Sequence, residues 1–382
     1  MKVVSVFGTR PEAIKMAPVV SGLSSSKGID GRVCVTAQHR EMLDQVLELF
    51  GITPDVDLDI MTNDQSPRAV TARVLEGVDG VLENERPDLV LVHGDTTTTM
   101  AAALAAFYRK IPVGHVEAGL RTHDRYYPFP EEMNRVLADA LSTHHFAPTA
   151  AARRNLIDSG VDPESVVVTG NTVIDALLST ANDPAAPGHG LELEGRVVLV
   201  TAHRRENFGE PLASICRALR DVVNRFDDVT VVYPVHLNPS VQRVARELLS
   251  GHDRIQLIEP MPYGPFVGLL KASTVVVTDS GGIQEEAPSL GKPVLVLRNE
   301  TERPEAVEAG TVRLVGTGRD RIVEELSLLL SDENAYRGMA AAVNPYGDGR
   351  AAARIVAAIR WSFGLANGER PEEFVPAAGR VV

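Results

Sequence analysis

The chain has 382 residues, more than one hydrophobic core usually serves, and its length predicts two domains. Its hydrophobic fraction of 44% and charged fraction of 23% are ordinary for a globular protein. Its net charge of −13 argues against nucleic acid and anionic membranes as partners, because both attract an excess of Lys and Arg.

The sequence carries no sign of an oxidising or membrane environment. Its two cysteines, Cys34 and Cys216, lie inside apolar runs and form neither a disulfide framework nor a CxxC zinc pattern. The strand-like run KVVSVF stands in place of a secretory signal, and no apolar run reaches the ~18 residues of a membrane span. We therefore expect a cytoplasmic protein without a membrane partner.

Short β-branched runs alternate with amphipathic helical stretches along the whole chain, which is typical of parallel sheets with helices on both faces. The first half contains six predicted strands: 3–7, 32–36, 88–93, 113–117, 144–147 and 165–169. The second half contains six more: 197–201, 230–234, 255–258, 274–278, 293–297 and 312–314. The predicted fold class is α/β, with two doubly wound Rossmann-like domains facing a central cleft.

A stretch rich in Pro, Gly and Ala, residues 179–195, interrupts the periodic pattern and suggests a linker. The predicted organisation is an N-terminal domain (1–180), a hinge (181–195) and a C-terminal domain (196–349). A late helix (350–365) is expected to cross back onto the first domain, and the last residues (366–382) are expected to form a flexible tail.

Polar residues at the carboxyl ends of the strands form the candidate site, because the crevice of an open parallel sheet lies there. After the first strand comes GTRPEAIK, where Gly8 permits a tight turn and Arg10 and Lys15 place positive charge near a new helix. This combination favours a phosphate. The alternative is an ordinary loop with two solvated cations.

Three acidic residues follow later strands of the first half: Asp95 in HGDTTTT, Glu117 in GHVEAGLRT and Glu131 in YYPFPEEMNR. Structural alternatives exist for two of them. Asp95 or its neighbour Thr96 is a good helix cap, and a carboxylate such as Glu131 is favoured by the dipole in the first turn of a helix. Arg121 shares the loop of Glu117.

The second half places further polar residues at its strand ends. TAHRRENFG offers His203, Arg204 and Arg205, and YPVHLNP offers His236. A lone histidine at a strand end is more often structural, but two adjacent arginines favour a charged loop in the cleft.

The run TDSGGIQEEAPSLGKP is the sharpest local signal. Ser280, Gly281 and Gly282 stand between a buried strand and a helix, so their N–H groups are suited to an anion at the helix N-terminus. Glu286 on that helix suits ribose hydroxyls, with a surface carboxylate as the alternative, and Arg303 lies in another loop.

Common cofactor signatures are absent from the sequence. No GxGxxG follows a strand, and there is no GxxxxGK[ST] and no HExxH. We therefore expect neither a cofactor nor a metal. The sequence also lacks the motifs that usually indicate NAD-dependent hydride transfer, NTP hydrolysis or zinc proteolysis.

Ten collinear motifs together resemble the bacterial non-hydrolysing UDP-N-acetylglucosamine 2-epimerases from Met1 to about Phe363. They are GTRPEAIKMAP, HGDTTTT, GHVEAGLRT, PEEMNR, GNTVIDAL, TAHRREN, VYPVHLNP, TDSGGIQEEAPSLGKPVLVLR, TERPEAVEAGT and NPYGDG. The resemblance implies a glycosyltransferase-B-like fold, a homodimer, and reversible conversion of UDP-N-acetylglucosamine to UDP-N-acetylmannosamine for cell-envelope polysaccharides without a cofactor. The implied mechanism is anti elimination of UDP to a 2-acetamidoglucal, followed by re-addition.

The resemblance also implies roles for individual residues. The residues that fall on the catalytic group are Asp95, Glu117, Glu131 and His203. Those that fall on the UDP-sugar site are Arg10, Lys15, Phe266, Ser280, Gly281, Gly282, Glu286 and Arg303. Those that correspond to an adjacent regulatory site for UDP-N-acetylglucosamine are Gln38, Glu131, Arg205 and His236.

Three other functions compete with this interpretation. A hydrolysing epimerase would release free N-acetylmannosamine, and a retaining glycosyltransferase would need an acceptor before releasing UDP. A catalytically silent UDP-sugar sensor would have no use for several cleft carboxylates, because they repel an anionic ligand. Product analysis separates the hydrolysing enzyme from the epimerase, since it yields free sugar and UDP in place of a nucleotide-linked sugar.

Overall fold

The computed structural model describes residues 1–37, 40–60, 66–366 and 370–376. By their internal contacts these residues form two units. The first comprises Met1–Ala176 and Tyr346–Val375, and the second is built on Leu177–Pro345. The chain thus leaves the first unit after Ala176 and returns at Tyr346, whereas the sequence places the domain boundaries at 180 and 349.

The first unit alternates strand and helix throughout. Its strands are β1 (Lys2–Phe7), β2 (Asp30–Val35), β3 (Val56–Asp57), β4 (Leu89–His93), β5 (Val113–Val116), β6 (His144–Ala147) and β7 (Val166–Val168). Its helices are α1 (Arg10–Ser24), α2 (Arg40–Leu49), α3 (Pro67–Glu85), α4 (Thr97–Tyr108), α5 (Glu131–Leu141), α6 (Ala150–Asp158) and the start of α7 (Thr172–Asn182).

All seven strands of this unit are parallel, in the order β3-β2-β1-β4-β5-β6-β7. Every residue of β4 is buried, because helices cover both faces of the sheet. The strand order reverses between β1 and β4, so the loops that follow these two strands meet at the switch point where such sheets bind ligands. The sequence did not predict β3, since two residues carry no periodic signal.

The second unit has the same winding. Its strands are β8 (Arg196–Thr201), β9 (Val229–Pro234), β10 (Ile255–Ile258), β11 (Val275–Thr278), β12 (Val294–Val296) and β13 (Val312–Leu314). Its helices are α8 (Glu210–Arg225), α9 (Pro239–Leu249), α10 (Tyr263–Ala272), α11 (Gly281–Glu286), α12 (Pro304–Glu308), α13 (Arg319–Ser331) and α14 (Glu333–Ala340).

Its six parallel strands follow the order β10-β9-β8-β11-β12-β13, with the switch point between β8 and β11. The loops after β8 and β11 are therefore neighbours. Together the two sheets confirm the predicted α/β class of two doubly wound Rossmann-like domains.

The last helix, α15 (Ala351–Ser362), packs against α1 in the first unit. Beyond it, residues 370–375 of the expected flexible tail also belong to this unit. The N–H of Phe374 donates to the carbonyl of Val168 at 2.7 Å, and the Phe374 side chain is only 6% exposed. This apolar side chain, together with the ion pairs Arg370–Glu164 and Glu373–Arg153, holds the segment despite its lack of periodicity.

Both cysteines are free thiols in the interior. Cys34 lies in β2 of the first unit and Cys216 in α8 of the second. In the described part of the chain, no helix combines the length and apolar character needed to cross a membrane. Within the same residues, no cluster of three His, Cys, Asp or Glu side chains is arranged to hold a metal ion.

Candidate functional site

Glu12 ties the loop after β1 to the loop after β4. Its Oε2 accepts hydrogen bonds from the N–H groups of Gly8 and Thr9, at 3.1 and 2.8 Å, and its Oε1 accepts one from the hydroxyl of Thr96 at 2.6 Å. Glu12 also forms a capping box with Thr9 at the start of α1. Burial raises the pKa of Glu12, and these hydrogen bonds oppose the shift. One carboxylate therefore fixes both loops at the switch point.

Gly8 occupies a position that has no room for a side chain. A Cβ at this position would lie 1.9 Å from Thr36 Oγ1, which pairs with Thr98 Oγ1 at 3.1 Å. Glycine is thus required by the close approach of the chain that follows β2. Arg10, two residues later, is the half-buried first residue of α1.

Asp95 does not cap α4. The cap is Thr96, whose hydroxyl accepts from the N–H of Thr99 at 3.2 Å. Asp95 instead forms an ion pair with Arg135 of α5, with 2.7 Å between Oδ2 and Nη2. Burial raises the pKa of Asp95, Arg135 opposes this shift, and the nearby charge of Glu117 adds to it. The structure therefore excludes the capping alternative for Asp95, and its role in the site stays a prediction.

Glu117 follows β5 with a backbone φ of +64°, a left-handed conformation that is uncommon for a residue with a side chain. Its Oε2 lies 2.5 Å from Lys15 Nζ and 2.9 Å from Asn171 Nδ2. Lys15, expected near a phosphate, thus reaches across from α1 to this carboxylate. Asn171 is not among the residues that the sequence predicts for the site, although it follows β7 in the motif GNTVIDAL.

His93 lies behind Glu117, with 3.7 Å between its Nε2 and Glu117 Oε2. Neither ring nitrogen has a hydrogen-bond partner within the residues that the structure describes. Burial lowers the pKa of His93 to about 3, and Glu117 opposes the shift. His93 is therefore a neutral imidazole beside the carboxylate of Glu117.

Glu131 begins α5, as the sequence predicts, and is half-buried. Its charge is near enough to Asp95 to contribute to the raised pKa of that carboxyl. The next residue, Glu132, has a structural role, because its carboxylate accepts from the N–H groups of Thr122 and His123, both at 3.0 Å. Two adjacent glutamates thus have different surroundings.

Arg121, in the loop of Glu117, belongs to the interior. Its Nη2 lies 2.7 Å from Asp139 Oδ2, and Asp139 also lies 2.6 Å from His115 Nδ1. All three side chains are at least nine-tenths buried. They tie α5 to β5 and do not join the carboxylates of the site.

In the second unit, Asp279 organises the loop after β8. It is fully buried at the end of β11, and its Oδ2 accepts from the N–H groups of His203 and Arg204, both at 2.9 Å, and from Asn207 Nδ2 at 3.0 Å. Asp279 is not among the residues that the sequence predicts for the site, although it is a polar residue that directly follows a strand. This carboxylate places the predicted catalytic residue His203 beside the β11 loop.

Arg303 covers the glycines at the start of α11. Its guanidinium carbon would lie 3.1 Å from a Cβ on Gly281. Arg303 also forms ion pairs with Glu285, at 2.8 Å, and Glu302, at 2.9 Å. The structure therefore brings Arg303 together with the predicted anion site at Ser280, Gly281 and Gly282.

Glu286 lies on α11 and accepts a hydrogen bond from the hydroxyl of Tyr263 at 2.8 Å. It is buried, and its Oε2 lies 4.0 Å from the Cβ position of Gly282. A surface carboxylate is thus the wrong alternative. Phe266 lies on α10, the helix of Tyr263, and is half-buried.

The predicted regulatory residues are only partly within the described chain, since Gln38 lies outside it. His236 is exposed, and its ring stacks on the ring of His203. Arg205 is also exposed, two residues after His203. A predicted catalytic residue and a predicted regulatory residue are therefore in direct contact.

Comparison with known proteins gives a consistent result. The family model described as UDP-N-acetylglucosamine 2-epimerase matches residues 22–360. The chain is 57% identical to a protein of Ralstonia nicotianae named as a probable UDP-N-acetylglucosamine 2-epimerase, over 95% of this chain and 99% of that one. It is 54% identical to the UDP-N-acetylglucosamine 2-epimerase of Escherichia coli, over 94% and 98% of the two chains.

A solved structure agrees with these relatives. The crystal structure of the UDP-GlcNAc 2-epimerase from Neisseria meningitidis, bound to UDP-GlcNAc, is 50% identical in sequence and superposes with a TM-score of 0.83. The match covers 93% of this chain and 98% of that one.

Proposed function

The chain belongs to the UDP-N-acetylglucosamine 2-epimerase family, and we propose that it interconverts UDP-N-acetylglucosamine and UDP-N-acetylmannosamine without releasing free sugar. The observation that carries the proposal is the grouping of Asp95 and Glu117 with the cations Arg135 and Lys15 at one end of the first sheet. From the resemblance to bacterial members, we further propose that the product supplies cell-envelope polysaccharides and that the enzyme is a homodimer.

The reaction has to invert a carbon whose proton is weakly acidic, because C2 of the sugar has no adjacent carbonyl. Elimination solves this problem. A carboxylate takes the C2 proton, the electron pair of that bond forms the C1=C2 double bond, and the C1–O bond breaks with its electrons leaving on UDP. The neutral 2-acetamidoglucal then receives a proton at C2 on its opposite face while a UDP oxygen re-forms the bond to C1.

Two faces of one carbon need two proton-transfer groups, since a single fixed side chain reaches only one face. We propose Glu117 and Asp95 as this pair, with Glu131 as the third acid of the site. The donors around Glu117 Oε2 favour its ionised form, whereas burial favours the protonated form of Asp95. Their surroundings therefore push the two carboxyls toward different protonation states, as acid and base roles require.

The second unit supplies the groups suited to UDP. The diphosphate gains negative charge as it leaves, and the N–H groups of Ser280–Gly282, together with Arg303 and His203, are suited to stabilise it. The other residues that we propose for the UDP-sugar site are Arg10, Lys15, Phe266 and Glu286. We propose Gln38, Glu131, Arg205 and His236 for a regulatory site on the strength of the resemblance.

Proton NMR of UDP-N-acetylglucosamine incubated with the enzyme in heavy water tests the proposal. We expect deuterium at C2 and a UDP-N-acetylmannosamine product. Free N-acetylmannosamine with UDP would establish a hydrolysing epimerase instead. A substrate that keeps its C2 proton and its configuration would refute epimerisation.

A further inference from the structure

Asn171 connects a proposed catalytic carboxylate to the segment with which the chain returns to the first unit. Its side chain is 3% exposed, and its Nδ2 donates to Glu117 Oε2 at 2.9 Å. Its backbone N–H donates to the carbonyl of Tyr346 at 2.6 Å. Two sequence motifs without an assigned role, GNTVIDAL and NPYGDG, thus meet at this residue.

The orientation of the Asn171 amide is fixed by its surroundings. Its Oδ1 accepts from the N–H of Val173 at 3.1 Å, at the start of α7. Because a backbone N–H offers only a donor, the carbonyl oxygen of the amide must face Val173 and the NH₂ group must face Glu117. Behind it, Gly170 has a φ of +85°, and a Cβ there would lie 3.4 Å from the Cα of Gly347. The backbone is therefore closely packed on both sides.

Glu117 Oε2 faces two groups that only donate. Lys15 Nζ lies 2.5 Å away and Asn171 Nδ2 lies 2.9 Å away, and neither an ammonium nor an amide NH₂ accepts a proton in return. A proton on Oε2 would replace two attractive contacts with repulsion between hydrogens. Two further ionisable groups near this carboxylate are His93 at the end of β4 and Asp95 in the following loop.

We infer that Asn171 is a positioning residue for the epimerisation: it orients Glu117 and keeps it ionised, ready to remove the C2 proton. The inference rests on the proposed function, because it assigns Asn171 a task in that reaction. Asn171 thus acts through Glu117 and does not itself touch the sugar.

The variant Asn171→Asp tests this role with little change in shape. An aspartate still accepts from the N–H of Val173, but it places a second carboxylate beside Glu117 Oε2 and removes the donor. Two close carboxylates share a proton, which raises the apparent pKa. We expect the acidic limb of the kcat profile to move up by about one pH unit or more, so that kcat on that limb falls about tenfold at a given pH and recovers as the pH rises. KM should change little.

The matched control is Asp175→Asn on α7, the helix that begins directly after Asn171. Asp175 is buried and accepts from the N–H groups of Ala351 and Ala352, at 3.1 and 2.9 Å, and is not placed in the site. We expect this variant to lower the melting temperature without moving the acidic limb. A limb that stays in place in Asn171→Asp, or that moves equally in the control, would overturn the inference.

A second readout separates this inference from the proposed function. Carbon NMR of labelled glutamate carboxyls follows the titration of Glu117 without any turnover, with Glu117→Gln to assign the signal. We expect a higher Glu117 pKa in Asn171→Asp than in the parent chain. A parent chain that does not epimerise the substrate would refute the proposed function. An identical Glu117 titration in the parent chain and in Asn171→Asp would refute the positioning role of Asn171.

Discussion

The imidazole rings of His203 and His236 stack with their centroids 5.5 Å apart and their planes 12° from parallel. The surroundings of His203 lower its pKa, chiefly because nearby protein removes water from it; Asp279 opposes this shift, and His236 and Arg204 add to it. The stack therefore couples the protonation of a proposed catalytic histidine to a neighbour proposed for regulation.

Replacing His236 with Phe keeps the stacked ring and removes its charge. We expect the pKa of His203 to rise, because one of the groups that lowers it is lost. Proton NMR titration of the histidine ring signals measures this, with His144 of the first unit as the internal reference. An unchanged or lower pKa of His203 would show that the stack carries no electrostatic coupling.

Amide substitution of the carboxylates Asp95, Glu117 and Glu131 should cut turnover by a factor on the order of 10² or more, the usual scale of acid/base catalysis. Calorimetric titration with UDP should show only a modest loss of affinity, since the substitutions leave the second unit intact. Glu76→Gln, exposed on α3, is the control for removal of one charge. Normal turnover in all three site variants would remove the acid/base assignment.

Asp279→Ala should destabilise the second unit. The substitution leaves three donors without their acceptor, namely the N–H groups of His203 and Arg204 and the side chain of Asn207. Asn207 Nδ2 keeps a longer contact with the carbonyl of Leu297, and the N–H groups of His203 and Arg204 are only partly buried, so we expect a loss of about 1–3 kcal/mol in the free energy of unfolding. Denaturant titration followed by circular dichroism measures it. Asp253→Ala, at an exposed position, should change it by ~0.5 kcal/mol at most; equal losses would contradict the role of Asp279.

Gly8→Ala should destabilise the first unit by about 1–3 kcal/mol, because its new methyl group overlaps Thr36 Oγ1 and forces the packed loop apart. Gly80→Ala in α3 is the matched control, since a Cβ there meets nothing within 4 Å. The control should gain up to ~1 kcal/mol from helix propensity. Urea titration followed by the fluorescence of Trp361, the only tryptophan and part of the first unit, measures both. A stable Gly8→Ala chain would disprove the steric argument.

His93 should make the first unit sensitive to acid. Burial lowers its pKa from 6.5 to about 3, so below pH 6.5 the unfolded chain binds a proton that the folded chain excludes. Its contribution to stability is therefore complete above pH 6.5 and is lost as the pH falls toward 3, by up to ~1.4 kcal/mol per unit. His93→Gln should flatten this slope in urea titrations followed by Trp361 fluorescence. Parallel slopes in the two chains would show that His93 does not titrate on unfolding.

The fold and the position of the candidate site are predictable from patterns that repeat along the chain. Runs of buried β-branched residues indicate the strands, and the rule that ligands bind at carboxyl strand ends leads directly to Asp95, Glu117 and His203. The strand β3 is not predicted from the sequence, because two residues do not form a periodic pattern.

The partners of these residues are less accessible to sequence reasoning, because they depend on which strands are neighbours. Arg135 reaches Asp95 from α5, and Asn171 reaches Glu117 from the loop after β7. Whether Asp95 or Thr96 caps α4 is likewise a matter of geometry, since either side chain is chemically able to do it. Asp279 and Asn171 also follow strands, so the rule that identifies Glu117 applies to them as well.

The distribution of the two buried cysteines makes the chain suitable for thiol labelling. Burial raises the pKa of both Cys34 and Cys216 to about 12, so a disulfide reagent such as dithionitrobenzoate reacts only when local opening exposes the sulfur. One cysteine lies in each unit, so each single Cys→Ser variant keeps a thiol in only one of them. The labelling rate of each variant therefore measures the local opening of one unit separately.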